Sequence, residues 1–355
     1  MDIIKLLEDI SNLENISDVH LTAESYPVVR LNGDLKKYRA EYLQELEQSD
    51  LEAVAREMMT EEQHREFKDM GELDFSYSIP DIGRYRVNAY HQRSSVCIAL
   101  RIIPNEVPSI ESLNLPEVIR KLAYRRMGLL LSTGPTGSGK TTTQAAIINE
   151  INRNKSVHVL TLEDPIEYLH KHEKSYVHQR EIGSDTTSFS RGLRACLRQD
   201  PDVILVGEMR DLDTISTALE AAETGHMVLA TLHTNSAPLT VDRIVDIFPG
   251  EQQQQVRIQL ASVLNGVIAQ RLLPKKDGTG RVAALEVMLG TPAVRNIIRE
   301  GKSSQLYSTM QAGGKQGMVV MDSYIIDLYK KGDITRATAI SWSVDKEEVQ
   351  KKLSM

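Results

Sequence analysis

The stretch "LLLSTGPTGSGKTTT", residues 129–143, runs from an apolar strand through a glycine-rich turn into sequence compatible with a helix. It satisfies the pattern G-x-x-x-x-G-K-[ST], in which the backbone N–H groups of a loop and of a helix N-terminus surround a phosphate. A surface turn that matches by chance is the alternative interpretation. Because an apolar strand precedes the pattern and a helix follows it, the sequence predicts a site for a nucleoside triphosphate.

The residues expected to contact the nucleotide lie in this loop and in the first turn of the helix. Lys140 is expected to reach the β- and γ-phosphate oxygens, and Thr141 to place its hydroxyl on a magnesium ion. ATP and Mg²⁺ are therefore the predicted cofactors. The predicted nucleotide-binding residues are Gly134, Pro135, Thr136, Gly137, Ser138, Gly139, Lys140, Thr141 and Thr142.

Two acidic segments could supply the carboxylates that such a loop requires on neighbouring strands. In "DVILVGEMRD", residues 202–211, Gly207 stands where an aspartate is usual, so Glu208 becomes the candidate near Mg²⁺, through water. "TLEDPIEY", residues 161–168, places Glu163, Asp164 and Glu167 at the end of another strand. Ligands of open α/β sheets bind at strand ends, although either acidic cluster could instead be a solvated loop.

Two histidines bracket a further apolar run. In "TGHMVLATLHTN", residues 224–235, His226 precedes the run and His233 follows it. A single histidine is most often structural. A pair around a buried strand of this sheet indicates either a sensor of the γ-phosphate or a contact between subunits.

Composition limits the class of protein. A chain of 355 residues exceeds what one core usually holds, which favours two domains. The formal net charge of −7 argues against a nucleic-acid partner held mainly by phosphate contacts. The only cysteines, Cys97 and Cys196, cannot form a multi-cysteine zinc site and indicate no disulfide framework.

Nothing in the sequence indicates insertion into a membrane. No apolar run approaches the roughly 20 residues of a membrane-spanning helix. The N-terminal "MDIIKLLEDI" mixes acidic with apolar residues and does not resemble a signal peptide. A cytoplasmic location is the expectation.

The chain divides into two regions of different pattern. Residues 1–103 combine short alternating strands with an amphipathic helix over 50–68, which predicts an α+β domain. Residues 104–116 are rich in proline and lack periodicity, which predicts a linker. Residues 117–355 begin with continuously apolar runs separated by helical segments, the pattern of a parallel α/β sheet. This region is expected to end in helices over 251–271, 291–300, 321–331 and 335–352.

The four motifs, in this order, resemble the Walker A, Asp box, Walker B and His box of the secretion-type ATPases of type II secretion and type IV pilus systems. "RACLRQDPDVILVGEMRD", residues 194–211, carries the resemblance most specifically. It implies a PAS-like N-terminal domain and a RecA-like P-loop ATPase domain that assemble as a homohexamer. It also implies a partner, the platform protein of the pilus machine, and a place at the cytoplasmic face of the inner membrane.

Within this family the chain is similar to the ATPases that retract type IV pili. Its length leaves no room for the extra N-terminal domain of the extension and secretion members, and their four-cysteine zinc motif is missing. "AVRNIIREGK", residues 293–302, is similar to the AIRNLI motif of retraction ATPases, with Val294 and Ile297 as conservative departures. Ala293, Val294, Ile297 and Ile298 are expected to pack on one side of a helix, leaving Arg295, Asn296 and Arg299 available for coupling to a partner.

The resemblance also assigns roles to two arginines of the N-terminal domain. In the family two such arginines reach the nucleotide, and Arg86 and Arg101 occupy the matching places in "GRYRVNAY" and "IALRIIP". Arginine is suited to this role because its guanidinium binds phosphate oxygens in a fork. Arg84 is an alternative to Arg86, and each could instead be a surface cation.

The expected mechanism is ATP hydrolysis that drives domain rotation within a ring. Glu163 is expected to orient or deprotonate the attacking water, with Glu208 near Mg²⁺, although the two roles could be exchanged. Lys140, His226, His233, Arg86 and Arg101 complete the predicted catalytic set. Three rivals remain: a pilus-extension or type II secretion ATPase, a nucleic-acid translocase, and a scaffold that binds ATP without hydrolysis.

Overall fold

The computed structural model describes residues 1–13, 16–80, 82–104 and 106–354. It divides into two compact units, Met1–Glu106 with Glu167–Leu169, and Val107–Ile166 with His170–Met355. Asn105, in the predicted linker, lies outside the described residues. The later part of that segment belongs to the second unit, where Ile110 and Leu115 are buried in a hydrophobic core.

The first unit is built on an antiparallel sheet of six strands in the order β3-β2-β1-β6-β5-β4. Its strands are β1 Ile16–Leu21, β2 Val28–Leu31, β3 Asp34–Lys37, β4 Glu72–Ile79, β5 Gly83–Gln92 and β6 Ser95–Ile103. Its helices are α1 Ile3–Ser11, α2 Gln48–Met58 and α3 Glu61–Met70. Alternate residues of the strands form the core, which confirms the α+β class predicted for this region.

The amphipathic segment over 50–68 forms two helices, where the sequence predicted one. Thr60 interrupts it, because its hydroxyl accepts a hydrogen bond from the backbone N–H of Gln63 while the Gln63 side chain accepts one from the N–H of Thr60. This reciprocal capping box begins a new helix at Glu61.

The second unit contains a seven-stranded sheet in the order β13-β12-β7-β11-β10-β8-β9. Its strands are β7 Gly128–Thr133, β8 His158–Glu163, β9 Tyr176–Glu181, β10 Val203–Val206, β11 Met227–Leu232, β12 Leu264–Pro274 and β13 Arg281–Leu289. Neighbouring strands are parallel except β13, which pairs antiparallel with β12. The four apolar runs predicted as buried strands are β7, β8, β10 and β11, and the parallel α/β class is confirmed.

Helices cover this sheet and form most of the C-terminal part. They are α4 Glu117–Ala123, α5 Lys140–Asn154, α6 Phe189–Cys196, α7 Leu212–Glu223, α8 Ala237–Asp246, α9 Gly250–Val263, α10 Pro292–Arg299, α11 Leu306–Ala312, α12 Met321–Lys331, α13 Arg336–Trp342 and α14 Lys346–Lys352. Two short 3₁₀ turns occupy Ser303–Gln305 and Gly314–Gln316. None of the helices in the described part of the chain is long and apolar enough to span a membrane.

Two of the helix predictions for the second unit were also wrong. The helix expected over 251–271 ends at Val263, and the next residues form β12 between β7 and β13. The apolar run there is compatible with either structure, and pairing with strands on both sides decides for a strand. The helix expected over 335–352 is two helices, because the carboxylate of Asp322 accepts hydrogen bonds from the backbone N–H groups of Val344 and Asp345 between them.

A buried carboxylate links the edge strand β13 to two helix starts. Glu286 is almost fully buried and accepts hydrogen bonds from the N–H of Ala237 (2.7 Å) and of Met321 (3.4 Å), the first residues of α8 and α12. Burial raises the pKa of Glu286, while these two hydrogen bonds lower it. The carboxylate satisfies N–H groups that have no partner within their own helices.

We expect Glu286→Ala to lower the free energy of unfolding by about 2–4 kcal/mol, because two buried N–H groups lose their acceptor. Urea denaturation followed by circular dichroism measures the change. Glu220→Ala, on the exposed side of α7, is the matched control, with an expected change within about 0.5 kcal/mol. Equal stability of the two variants would contradict the structural role of Glu286.

Candidate nucleotide site

The phosphate loop lies at the carboxyl edge of the parallel sheet. It connects the end of β7 at Thr133 to the start of α5 at Lys140. β7 pairs with β11 on one side and with β12 on the other, so the loop stands near the middle of the sheet. Pro135, Thr136 and Gly137 are exposed at its crest, while Thr141 and Thr142 are half-buried in the first turn of α5.

Two glycines of the loop are required by close contact with β12. Gly134 has φ +145°, and a Cβ built there would lie 2.3 Å from the carbonyl oxygen of Gln270. Gly139 has φ +87°, and its Cβ would lie 2.7 Å from the side-chain nitrogen of Gln270. Gln270 also accepts a hydrogen bond from the hydroxyl of Thr143 (2.7 Å). Gln270, which the sequence did not single out, thus holds the loop against β12.

Lys140 lies across the loop. Its side chain is only 8% exposed, and its ammonium group donates to the carbonyl oxygens of Gly134 (2.9 Å) and Pro135 (3.1 Å). These contacts hold the positive charge above the N-terminus of α5, where the backbone N–H groups also favour an anion.

The loop fits a triphosphate. Ser138 is 3% exposed, and its hydroxyl has no hydrogen-bond partner among the described residues. Gly137 has φ +75° and open space at its Cβ position. A buried hydroxyl, a held ammonium group and a helix N-terminus together form the donor set that phosphate oxygens require.

A second functional side chain is held at the end of β8, on the same edge of the sheet as the phosphate loop, with β11 and β10 between β8 and β7. Glu163 is 7% exposed, and its Oε1 accepts hydrogen bonds from the hydroxyl of Thr161 (2.6 Å) and from the side-chain amide of Gln179 (3.0 Å). Gln179 belongs to β9, a strand that the sequence did not predict. Two fixed donors orient this carboxylate, as a group that positions water requires.

The Walker B segment has glycine at position 207 for a steric reason. Gly207 follows β10 and donates its N–H to the carbonyl of Leu162 (2.7 Å). A Cβ at Gly207 would lie 3.0 Å from that oxygen and 3.3 Å from the Cα of Glu163. A side chain at this position would therefore press on the backbone that carries Glu163.

Glu208 is engaged by two cationic or titratable side chains. Nε of Arg210 donates to Oε1 of Glu208, and Nε2 of His233 lies 2.8 Å from that oxygen. The hydrogen bond with Glu208 raises the pKa of Arg210. His233 and Glu208 thus lie together at the carboxyl edge of the sheet, and Arg210 joins them as a residue that the sequence did not single out.

His226 lies at the opposite edge of the sheet from His233. The six residues of β11 separate them, which at about 3.3 Å per residue is roughly 20 Å. Nδ1 of His226 contacts the carbonyl of Ala221 (2.9 Å) at the end of α7. Within one chain His226 does not join the phosphate loop, so its use as a γ-phosphate sensor there is excluded by position. A contact between subunits stays a prediction for it.

Arg86 and Arg101 lie in the first unit as direct neighbours on β5 and β6. Nε of Arg101 donates to Asp18 (2.9 Å), and Nε of Arg86 lies 3.9 Å from Asp74. Burial alone would raise the pKa of Asp18, but hydrogen bonds from Ser17 and Arg101 lower it below its usual value. The exposed side of this sheet thus presents two adjacent arginines.

A magnesium ion bound at this site would have few protein ligands. No group of three or more His, Cys, Asp or Glu side chains that could hold a metal ion occurs within the described ranges. A magnesium ion bound mainly by phosphate oxygens and water needs no such group. Thr141, in the first turn of α5, and Glu208, at the end of β10, lie at the edge of the sheet that carries the phosphate loop.

The helix expected to couple to a partner is α10. The burial of its residues agrees with the prediction only in part. Val294 and Ile298 are buried as expected, whereas Ala293 is exposed. Arg295 is half-buried, and its guanidinium donates to three backbone carbonyls, those of Gly290 (2.9 Å), Ser262 (2.8 Å) and Leu264 (3.1 Å). The prediction that Arg295 has a free coupling face was therefore wrong, while Asn296 and Arg299 are exposed.

Known proteins share both the sequence and this architecture. The family model described as type II/IV secretion system protein matches residues 3–285. The chain is 47% identical to the type IV pilus retractation ATPase PilT of Pseudomonas aeruginosa, over 96% of this chain and 97% of the relative. It is 45% identical to a twitching motility protein of Neisseria gonorrhoeae, over 88% of this chain and 83% of the relative.

A solved structure matches over nearly the whole length. The crystal structure of the pilus retraction motor PilT with bound ADP superposes with a TM-score of 0.92 at 48% identity, covering 99% of each chain. The expected RecA-like P-loop core with a smaller N-terminal domain is confirmed by this match.

We expect Gly207→Ala to slow ATP hydrolysis by about 10–100-fold, because the added methyl group displaces the backbone of Glu163. ATP binding should change less than about threefold, since the phosphate loop is untouched. Phosphate release measures the first quantity and equilibrium binding of a fluorescent ATP analogue the second. Gly250→Ala, with open space at its Cβ position, is the control. Unchanged hydrolysis in the Gly207 variant would contradict the steric role.

Proposed function

The chain belongs to the type II/IV secretion system protein family, and we propose that within this family it is an ATPase motor that retracts type IV pili. The observation that supports this most is the pairing of a held phosphate loop with Glu163, a buried carboxylate oriented by Thr161 and Gln179. The identity to a pilus retractation ATPase over nearly the whole chain supports the choice of pilus retraction.

The residues of this site divide the work of hydrolysis. Bound ATP with Mg²⁺ supplies the phosphoanhydride bond whose cleavage provides the free energy. Lys140 holds the phosphate oxygens, and Thr141 offers its hydroxyl to the metal. Glu163 orients the attacking water and takes its proton, since its carboxylate is buried and held in one orientation. Glu208 acts near the metal through water, and His233 and Arg210 fix its carboxylate.

We expect Glu163→Gln to keep ATP bound while hydrolysis slows by about 10²-fold or more, the scale of general-base catalysis. Glu208→Gln should slow hydrolysis less, because its carboxylate does not take the proton. Lys140→Ala should lose hydrolysis and weaken ATP binding together. Phosphate release and ATP-analogue binding, measured on each variant, distinguish the three. A loss of 10²-fold or more in Glu208→Gln alone would mean that the two carboxylates have exchanged roles.

The motor works as an assembly at a membrane. The chain forms a homohexamer, and Arg86 and Arg101 reach the nucleotide from the N-terminal domain, so that cleavage changes their contacts. The adjacency of these arginines on β5 and β6 supports a joint role. The ring acts at the cytoplasmic face of the inner membrane on the platform protein of the pilus machine, without nucleic acid.

Substitution of Asn296 can distinguish coupling to a partner from ATP hydrolysis. It is exposed on α10 and its side chain donates to Glu300 (2.8 Å). We expect Asn296→Ala to leave ATP turnover within about twofold and melting unchanged, since surface substitutions have small effects on stability. Pilus retraction in cells should be impaired, because the exposed amide is the group available to a partner. Asn154→Ala is the matched control, since Asn154 is also exposed and also donates to a glutamate four residues away.

Arg295→Ala should behave differently. It leaves three backbone carbonyls without their donor, so stability and turnover should fall with retraction. If Asn296→Ala also lowers all three properties together, α10 has only a structural role and the coupling proposal fails.

A further inference from the structure

A basic cleft lies at the amino edge of the sheet of the second unit, opposite the phosphate loop. Its volume is about 620 Å³, and its lining includes Arg125, Arg126, Met127, Glu223 and Arg295. We call it the arginine cleft. β7 begins in its wall at Gly128 and reaches the phosphate loop at the other end.

Arg295 forms a rigid part of this cleft. Three of the five N–H groups of its guanidinium are used by backbone carbonyls, which fix its position and leave two donors. Burial is the largest cause that lowers the pKa of Arg295, and the positive charges of Arg125 and Arg299 lower it further. Arg125 and Arg299 therefore add positive charge near Arg295.

The lining of the cleft carries more positive than negative charge, with Arg125, Arg126 and Arg295 against Glu223. Arg125 and Arg126 are exposed and, among the described residues, neither they nor Arg299 has a carboxylate within ion-pair distance. Glu223 is the acidic residue of the lining, and its carboxylate accepts from Gln259 (3.3 Å) and Ser262 (3.4 Å). The chain as a whole has a net charge of −7, so this excess of positive charge is confined to the cleft and is not a property of the whole surface. It favours an anionic ligand.

The cleft also offers an apolar contact. The side chain of Met127 is 46% exposed, and its backbone carbonyl is held by the amide of Asn265 (2.8 Å). Methionine is a flexible apolar surface that adapts to different side chains. No aromatic residue is present in the described lining, so a nucleotide base would find no ring to stack on.

We propose that the arginine cleft binds an acidic segment of a partner protein, with at least two carboxylates on the arginines and one apolar side chain on Met127. Arginine pairs with carboxylates through two parallel hydrogen bonds, which suits such a segment. The volume exceeds what a single carboxylate or phosphate fills and accommodates several residues of a peptide. This binding does not require ATP hydrolysis and holds whichever motor activity the chain has.

A labelled peptide of sequence Glu-Glu-Leu-Glu-Glu tests the proposal on the full chain by fluorescence anisotropy. We expect binding that weakens with added salt and that falls at least about tenfold in the double variant Arg125→Glu, Arg126→Glu. The matched control is Lys330→Glu, Lys331→Glu, an adjacent pair of exposed cations at the end of α12, for which the affinity should stay within about twofold. A peptide with glutamine in place of every glutamate should not bind.

Three results would overturn the proposal. The first is an equal loss of affinity in both charge-reversed variants, or no loss in either. The second is competition by inorganic tripolyphosphate as strong as by the unlabelled peptide, which would indicate a general anion site. The third is a change of molecular mass by light scattering in the Arg125, Arg126 variant, which would place the cleft between copies of this chain. ATP hydrolysis, measured in parallel, should be unchanged in that variant because the phosphate loop lies at the other edge of the sheet.

Discussion

Gln270 of β12 meets the phosphate loop at two points, and the positions of the other nucleotide contacts depend on this approach. Its carbonyl oxygen and its side-chain nitrogen each occupy space that a Cβ at Gly134 or Gly139 would need. The two glycines can therefore follow the strand closely, and the turn that they make aims Lys140 back across the loop. The loop owes its shape to a neighbouring strand as well as to its own glycines.

The parallel arrangement of strands then gathers the remaining groups. Because parallel strands end at the same edge, Glu163 after β8, Glu208 after β10 and His233 after β11 come to the edge that carries the phosphate loop. Gly207 allows β10 to lie close to the backbone of Glu163. One sheet thus positions the Lys140 ammonium group, the held carboxylate of Glu163 and the contact between Glu208 and His233, although these residues are far apart in sequence.

The sequence predicted what is local and missed what depends on pairing between distant strands. The phosphate loop and the four buried strands were recognisable, because each is a continuous pattern of residues. Gln270 and Gln179 were not, since one lies on a strand that resembled a helix and the other on a strand without a distinct apolar pattern. His226 and His233 looked equivalent in sequence, but one precedes β11 and the other follows it, so the full length of the strand separates them. Arg295 looked like a surface cation because backbone carbonyls that bind it have no sequence signature.

β12 runs from the end of the sheet that carries the arginine cleft to the end that carries the phosphate loop. Its first residue, Leu264, accepts a hydrogen bond from Arg295 beside the arginine cleft, and Gln270 touches the phosphate loop six residues later. β12 is paired with β7 on one side and with β13 on the other, so it cannot slide without breaking both sets of hydrogen bonds. A close-packed strand held in this way transmits a displacement of one end to the other. The exposed Arg125 and Arg126 can therefore be substituted without disturbing the phosphate loop, whereas Arg295, which donates to Leu264 of β12, cannot.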